Sequence, residues 1–139
     1  EQGAEECKEA GARRAVMLNV SGPFHSDLLK GAGEKLEKVL DSIEINEPQI
    51  PYVANVNASY ITKQEDIKPL LVKQVSSSVR WQQSVETMVE DGVDTFIELG
   101  PGRTLAGFNK KIGKAIGKEL TTYSVGTMEE LEAVVAALS

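Results

Sequence analysis

The sequence predicts an α/β fold, and three observations carry that reading. Short apolar runs alternate with longer segments whose apolar residues recur every three or four positions, the pattern of strands alternating with amphipathic helices. Thr95-Phe96-Ile97-Glu98-Leu99 passes through Gly100-Pro101-Gly102 into one such helical segment, a strand, tight turn and helix in succession. No repeat and no low-complexity linker divides the 139 residues, so one unit with a largely parallel sheet is expected.

The elements follow in order. Ala4 to Ala10 has helix-forming composition, and Gly11 suits a left-handed cap. Ala15-Val16-Met17-Leu18-Asn19-Val20 reads as a buried strand. Leu28, Leu29, Ala32, Leu36, Val39, Leu40 and Ile43 form one apolar face of a helix over about 26–42, weakened locally by Gly31 and Gly33. Pro48 and Pro51 break that pattern, and 52–56 reads as a strand bounded by Asn57 and Ser59; Asn55 and Asn57 are candidates to reach into a site, with a turn role for Asn57 at least as well supported. A helix over about 65–75 turns Ile67, Leu70 and Leu71 inward and ends in three serines. A second follows with Trp81, Val85, Met88 and Val89 on one side and Gly92 as its cap. Residues 95–99 look like the clearest buried strand. The next helix carries Leu105, Phe108, Ile112 and Ile116, residues 121–125 form a last strand, and Thr127 with Glu130 makes a capping box for a terminal helix ending near Leu138.

Composition bounds the function. With 41% hydrophobic and 26% charged residues the chain can bury a moderate core. A formal charge of −6 argues against a general nucleic-acid surface. Lys110, Lys111, Lys114 and Lys118 form a local basic face, read as a solvated helix end. No apolar run is long enough to span a bilayer and no charged-then-apolar leader opens the chain, so a cytoplasmic protein is expected. Cys7 is alone among glutamates, which leaves no internal disulfide, no zinc set and a poor nucleophile. The sequence begins at Glu1 without an initiator methionine, and it reads as starting partway through something larger.

His25, the only histidine, lies in the loop Ser21-Gly22-Pro23-Phe24-His25-Ser26 between an expected strand and an expected helix. Such loops hold the working groups of α/β enzymes, and an imidazole there can take a proton from a nucleophile and return it to a leaving group. On spacing alone a surface or structural histidine is the more frequent role. Ser76-Ser77-Ser78 has no base or oxyanion hole to make it nucleophilic and reads as a turn. Gly100-Pro101-Gly102 lacks phosphate-loop spacing and reads as a structural turn, although a helix start can bind anions.

Gly22-Pro23-Phe24-His25-Ser26 with Leu28-Leu29 resembles the histidine motif of malonyl-CoA:acyl carrier protein transacylases and the related acyltransferase domains of fatty acid and polyketide synthases. Leu71-Val72-Lys73-Gln74, the stretch Val79 to Val85, and Glu98 to Leu105 continue the resemblance in order. It implies the C-terminal part of an α/β-hydrolase-like catalytic domain. Residues 1–19 would end a small ferredoxin-like subdomain and 20–139 would belong to the catalytic domain.

The resemblance also implies roles. His25 would be the general base, Gln74 would orient it through a main-chain carbonyl in place of a triad carboxylate, and Phe24 would help bind substrate. Malonyl-CoA, as substrate, and acyl carrier protein would be the partners, with no further cofactor and no metal, membrane or nucleic acid. The chain departs from the family in lacking Gly-x-Ser-x-Gly and the carboxylate-binding arginine; Arg80 and Arg103 do not stand in that motif. The activity would then belong to a longer parent, with the N-terminal part as a further partner. A non-catalytic half docking on another subunit or on a carrier protein is the alternative, and an unrelated serine hydrolase is a third reading.

Overall fold

The computed structural model describes residues 2–17 and 20–139. Helix α1 spans Gln2–Glu9 and buries none of its residues; Gly11, at φ +91°, ends the segment as the expected left-handed cap. Leu18 and Asn19 of the expected strand lie outside the described residues. Its remainder is irregular, with Val16 and Met17 more than half exposed. An extended run becomes a strand only when a ladder partner satisfies its backbone, and this run has none among the described residues.

The helix expected over 26–42 begins as a single 3₁₀ turn, Asp27–Leu29, and continues as α2, Lys30–Leu40. Its inward face is narrower than the sequence suggests. Leu29, Leu36 and Leu40 are half-buried around Gly33, whereas Leu28 is 81% exposed and Ala32, Val39 and Ile43 also face outward.

Strand β1, Tyr52–Ala54, is shorter than expected and turns back into β2, Ser59–Ile61, an antiparallel partner the sequence reading did not include. The Ala58 N–H donates to the Ala54 carbonyl at 2.8 Å, and the Ser59 N–H to Asn57 Oδ1 at 3.2 Å, which gives Asn57 its turn role.

Helix α3, Gln64–Val75, retains Pro69 in its interior and packs along α2. Ile67 and Leu70 are half-buried, while Leu71 lies toward solvent. A Lys68–Asp41 ion pair ties α3 to the end of α2.

Helix α4, Trp81–Glu90, buries Ser84 and Val85 and closes at Gly92, φ +96°, where the Val93 N–H returns to the Met88 carbonyl at 3.0 Å. Strands β3, Thr95–Leu99, and β4, Thr121–Val125, pair in parallel with Thr95 opposite Thr121 and Leu99 opposite Val125. Helix α5, Thr104–Ile116, connects them, and α6, Met128–Leu138, packs on β4. The architecture is therefore mixed α/β: one parallel pair and one antiparallel hairpin among the described residues.

The expectation that 95–99 is a buried strand is corrected. Its residues alternate between exposed and half-buried, with Ile97 47% and Leu99 75% exposed. Parallel strands are ordinarily covered on both faces. Here Phe96 and Glu98 lie on the α5 side, while the opposite face of β3 is open. The whole chain exposes 10541 Å², against about 7,000 Å² for a compact monomer of its 15.0 kDa mass. Among the described residues the buried apolar side chains are few: Ala54, Ala58, Ile61, Val85, Ile112 and Val134.

Candidate functional site

The loop carrying His25 is held by local bonds. The Ser26 hydroxyl donates to the Pro23 carbonyl at 2.7 Å, and the Leu29 N–H to the Ser26 carbonyl at 3.0 Å. His25 itself takes φ +57°, a left-handed conformation that a non-glycine residue adopts only when its surroundings impose it. Phe24 is 63% exposed, and its ring folds back over Gly22, where a Cβ would already lie 3.5 Å from the ring.

The conformation of His25 brings Nδ1 to 3.1 Å from the main-chain carbonyl oxygen of Gln74. Gln74 lies in the last turn of α3, whose final four carbonyls have no partner within the helix ladder. A carbonyl only accepts, so Nδ1 carries the hydrogen, and in the neutral ring Nε2 holds the lone pair. The contact thus selects the tautomer of the neutral ring that has its hydrogen on Nδ1, and the imidazole is exposed. Ser76 and Ser77 close the same helix end through their N–H groups, which donate to Lys73 at 3.3 Å and to Gln74 at 3.4 Å.

A second polar centre lies at the start of α5. The Glu98 carboxylate accepts from the N–H groups of Leu105 and Ala106, each at 3.0 Å, and from the Ser124 hydroxyl at 3.3 Å. These donors, the Leu105 N–H first, hold its pKa below the ordinary carboxylate value against the opposing effect of partial burial. The anion at this helix start is therefore the protein's own carboxylate, in accord with a structural reading of Gly100-Pro101-Gly102. Nearby, Thr127 Oγ1 accepts from the Glu130 N–H at 3.2 Å, as a capping box requires, while the Glu130 carboxylate reaches the Gly126 N–H at 2.7 Å. That bond is the first cause of a lowered Glu130 pKa, with Arg103 contributing from 3.5 Å.

The basic residues Arg103, Lys110, Lys114 and Lys118 line an open cleft of about 850 Å³ beside β4, which does not include His25 or Gln74. Cys7 is exposed on α1, and no group of three metal-ligating side chains occurs among the described residues. Among those residues no helix is long and apolar enough to cross a membrane.

Sequence reasoning missed Asn109. It is 2% exposed inside α5, takes the indole N–H of Trp81 at 3.1 Å and donates to Thr122 at 3.3 Å, joining α4, α5 and β4. Phe108, one of the apolar residues of that helix, is 44% exposed. The signal was available, since Leu105, Asn109, Ile112 and Ile116 share one helical stripe.

No family model matches the chain. A malonyl CoA-acyl carrier protein transacylase of Bacillus subtilis is 43% identical to it over 138 residues, 99% of this chain. The chain matches part of a malonyl CoA-acyl carrier protein transacylase. It spans 42% of the length of that relative. The crystal structure of a transacylase from Clostridium perfringens superposes with a TM-score of 0.87 at 40% identity, over 99% of this chain and 42% of that one. A type II polyketide acyl carrier protein in complex with its malonyl-transacylase gives a TM-score of 0.87 at 38% identity, covering 98% of this chain and 43% of that one. The mixed α/β fold is thus that of part of a transacylase.

Proposed function

We propose that the chain is the histidine-bearing, C-terminal part of an enzyme that moves a malonyl group from malonyl-CoA to the pantetheine thiol of acyl carrier protein in fatty acid biosynthesis. The observation that carries this reading is the His25 Nδ1 to Gln74 carbonyl contact at 3.1 Å, which leaves Nε2 as a base on an exposed loop. The serine nucleophile belongs to the longer parent, since no Gly-x-Ser-x-Gly occurs here.

In the first half-reaction Nε2 takes the serine proton as the oxygen attacks the malonyl thioester. The proton then goes to the departing CoA sulfur, leaving a malonyl-serine ester. In the second half-reaction Nε2 takes the proton of the carrier's thiol, sulfur attacks the ester, and the serine oxygen recovers a proton from the imidazolium. The Gln74 carbonyl stabilises the imidazolium in both halves as a triad carboxylate does elsewhere. Phe24 borders the acyl group.

Residues 1–19 belong to the small ferredoxin-like subdomain and 20–139 to the catalytic domain; that α1 buries none of its residues supports that division. On this reading the parent enzyme is cytoplasmic. Rapid-quench measurement of serine acylation in the full-length protein tests the reading, which fails if His25→Ala acylates at the normal rate.

A further inference from the structure

Gly33 is the one buried residue of α2, and it occupies an interior helical position where glycine is the least favourable residue short of proline. Its place against α3 accounts for it. A Cβ at residue 33 would lie 3.2 Å from the Val72 carbonyl oxygen, 3.7 Å from Val72 Cγ1 and 3.9 Å from the Val75 Cβ. The backbone of α2 therefore rests directly on the last turn of α3. That turn also carries the Gln74 carbonyl that meets His25.

We propose that residue 33 is a positioning residue for His25: its smallness sets how closely α2 approaches the end of α3, and thereby whether Nδ1 reaches the Gln74 carbonyl. The inference rests on the reading of His25 as general base for its catalytic consequence, but not for its geometric one. The His25 loop is joined to α2 by one 3₁₀ turn, so a displacement of the helix is passed to the loop. The contact at 3.1 Å has little room to lengthen. An added separation of about 0.5 Å takes the pair outside hydrogen-bonding range. The imidazole is then free to exchange tautomers and to rotate.

Gly31 supplies the control. It lies in the same helix with no atom within 4 Å of where its Cβ would be, so a side chain there leaves the α2–α3 seam alone. Leucine favours helix at either position and separates the steric effect from helix propensity. Alanine at 33 needs a shift of only a few tenths of an ångström and gains propensity, so it is expected to be tolerated.

The test uses Gly33→Leu, Gly33→Ser, Gly33→Ala and Gly31→Leu in the full-length protein, with folding checked by circular dichroism. The His25 ring nitrogens are followed by ¹⁵N NMR and assigned by their loss in His25→Gln, alongside kcat and KM for acylation from malonyl-CoA. Gly33→Leu should collapse the separation between the two ring-nitrogen shifts and lower kcat by about tenfold or more with KM little changed. Gly33→Ser should move both readouts the same way by less, and it decides the matter if Gly33→Leu does not fold. Gly31→Leu and Gly33→Ala should resemble the parent protein.

An unchanged tautomer signature in folded Gly33→Leu, or in Gly33→Ser where only that variant folds, overturns the proposal. So does an equal change in Gly31→Leu. If the signature collapses while His25→Gln itself still acylates normally, the positioning stands and the functional reading falls.

Discussion

The indole N–H of Trp81 donates to Asn109 Oδ1 at 3.1 Å, and the Asn109 amide in turn donates to Thr122, so a single buried asparagine links two helices and a strand. Removing it strands a half-buried donor on Trp81. Asn109→Leu should cost about 1–3 kcal/mol, the penalty of an unsatisfied buried polar group, while Thr122→Val should cost less. Urea unfolding of the full-length protein checks this, and equal midpoints for Asn109→Leu and the parent would remove the network from the account.

Glu98 ties acid stability to the start of α5. Its folded pKa lies below its unfolded value, so its contribution is present above the unfolded pKa and is lost as pH falls through the folded one. Glu98→Gln removes that titration. Thermal midpoints measured from pH 7 down to 3 should fall less steeply in Glu98→Gln than in the parent below the ordinary carboxylate range. Parallel curves would mean that the carboxylate is not ionised at the helix start.

His25 and Gln74 should respond differently to side-chain removal. His25→Ala in the full-length protein should slow serine acylation roughly 10²–10⁴-fold, the usual loss of a general base. Gln74→Ala leaves the carbonyl in place and should be mild, whereas Gln74→Pro disturbs the helix end that aims it. Rapid-quench rates on folded variants decide this; a Gln74→Ala as damaging as His25→Ala would put the amide side chain in the site.

Phe24→Ser should raise the use of methylmalonyl-CoA relative to malonyl-CoA. On the proposed reading the ring narrows the space for an α-methyl group, and one methyl is worth about 1–3 kcal/mol of discrimination. The ratio of the two kcat/KM values is the measurement. An unmoved ratio leaves Phe24 with only its contact to Gly22.

Residues 1–139 expressed alone should lack malonyl transfer and bind hydrophobic dyes, because Ile97, Leu99 and the edges of both strand pairs are left uncovered. A cooperative thermal transition together with malonyl transfer by this chain alone would overturn the expectation.

The helices were the most legible part of the sequence, because a period of three to four residues marks a face whatever covers it. Even so, Leu28 and Phe108 fit the period and point outward. The period locates a stripe, and only tertiary contact decides its width. The β1–β2 hairpin was hidden because its turn contains no glycine; Ala58 takes φ +55° instead. Residues 95–99 carry the composition of a buried strand, yet only the face toward α5 is covered. Around the site, His25 stood out by its residue type and its loop. Gln74 entered only through family resemblance, since a main-chain acceptor leaves no mark on residue identity. Gly33 was read as a weakness of its helix, because the carbonyl it makes room for is 39 positions away in the chain.

On the proposed reading, reliance on a main-chain oxygen at position 74 also shapes how this site can drift over generations. Codon changes at 74 exchange the side chain and keep the acceptor, so that position is free to wander among helix-forming residues. Length is another matter. Each residue of an α-helix turns the next by about 100°, so an in-frame insertion or deletion within 70–75 swings a different carbonyl toward the imidazole, or none. A mutational library should therefore tolerate many substitutions at 74 and almost no single-residue indels in the turn that contains it.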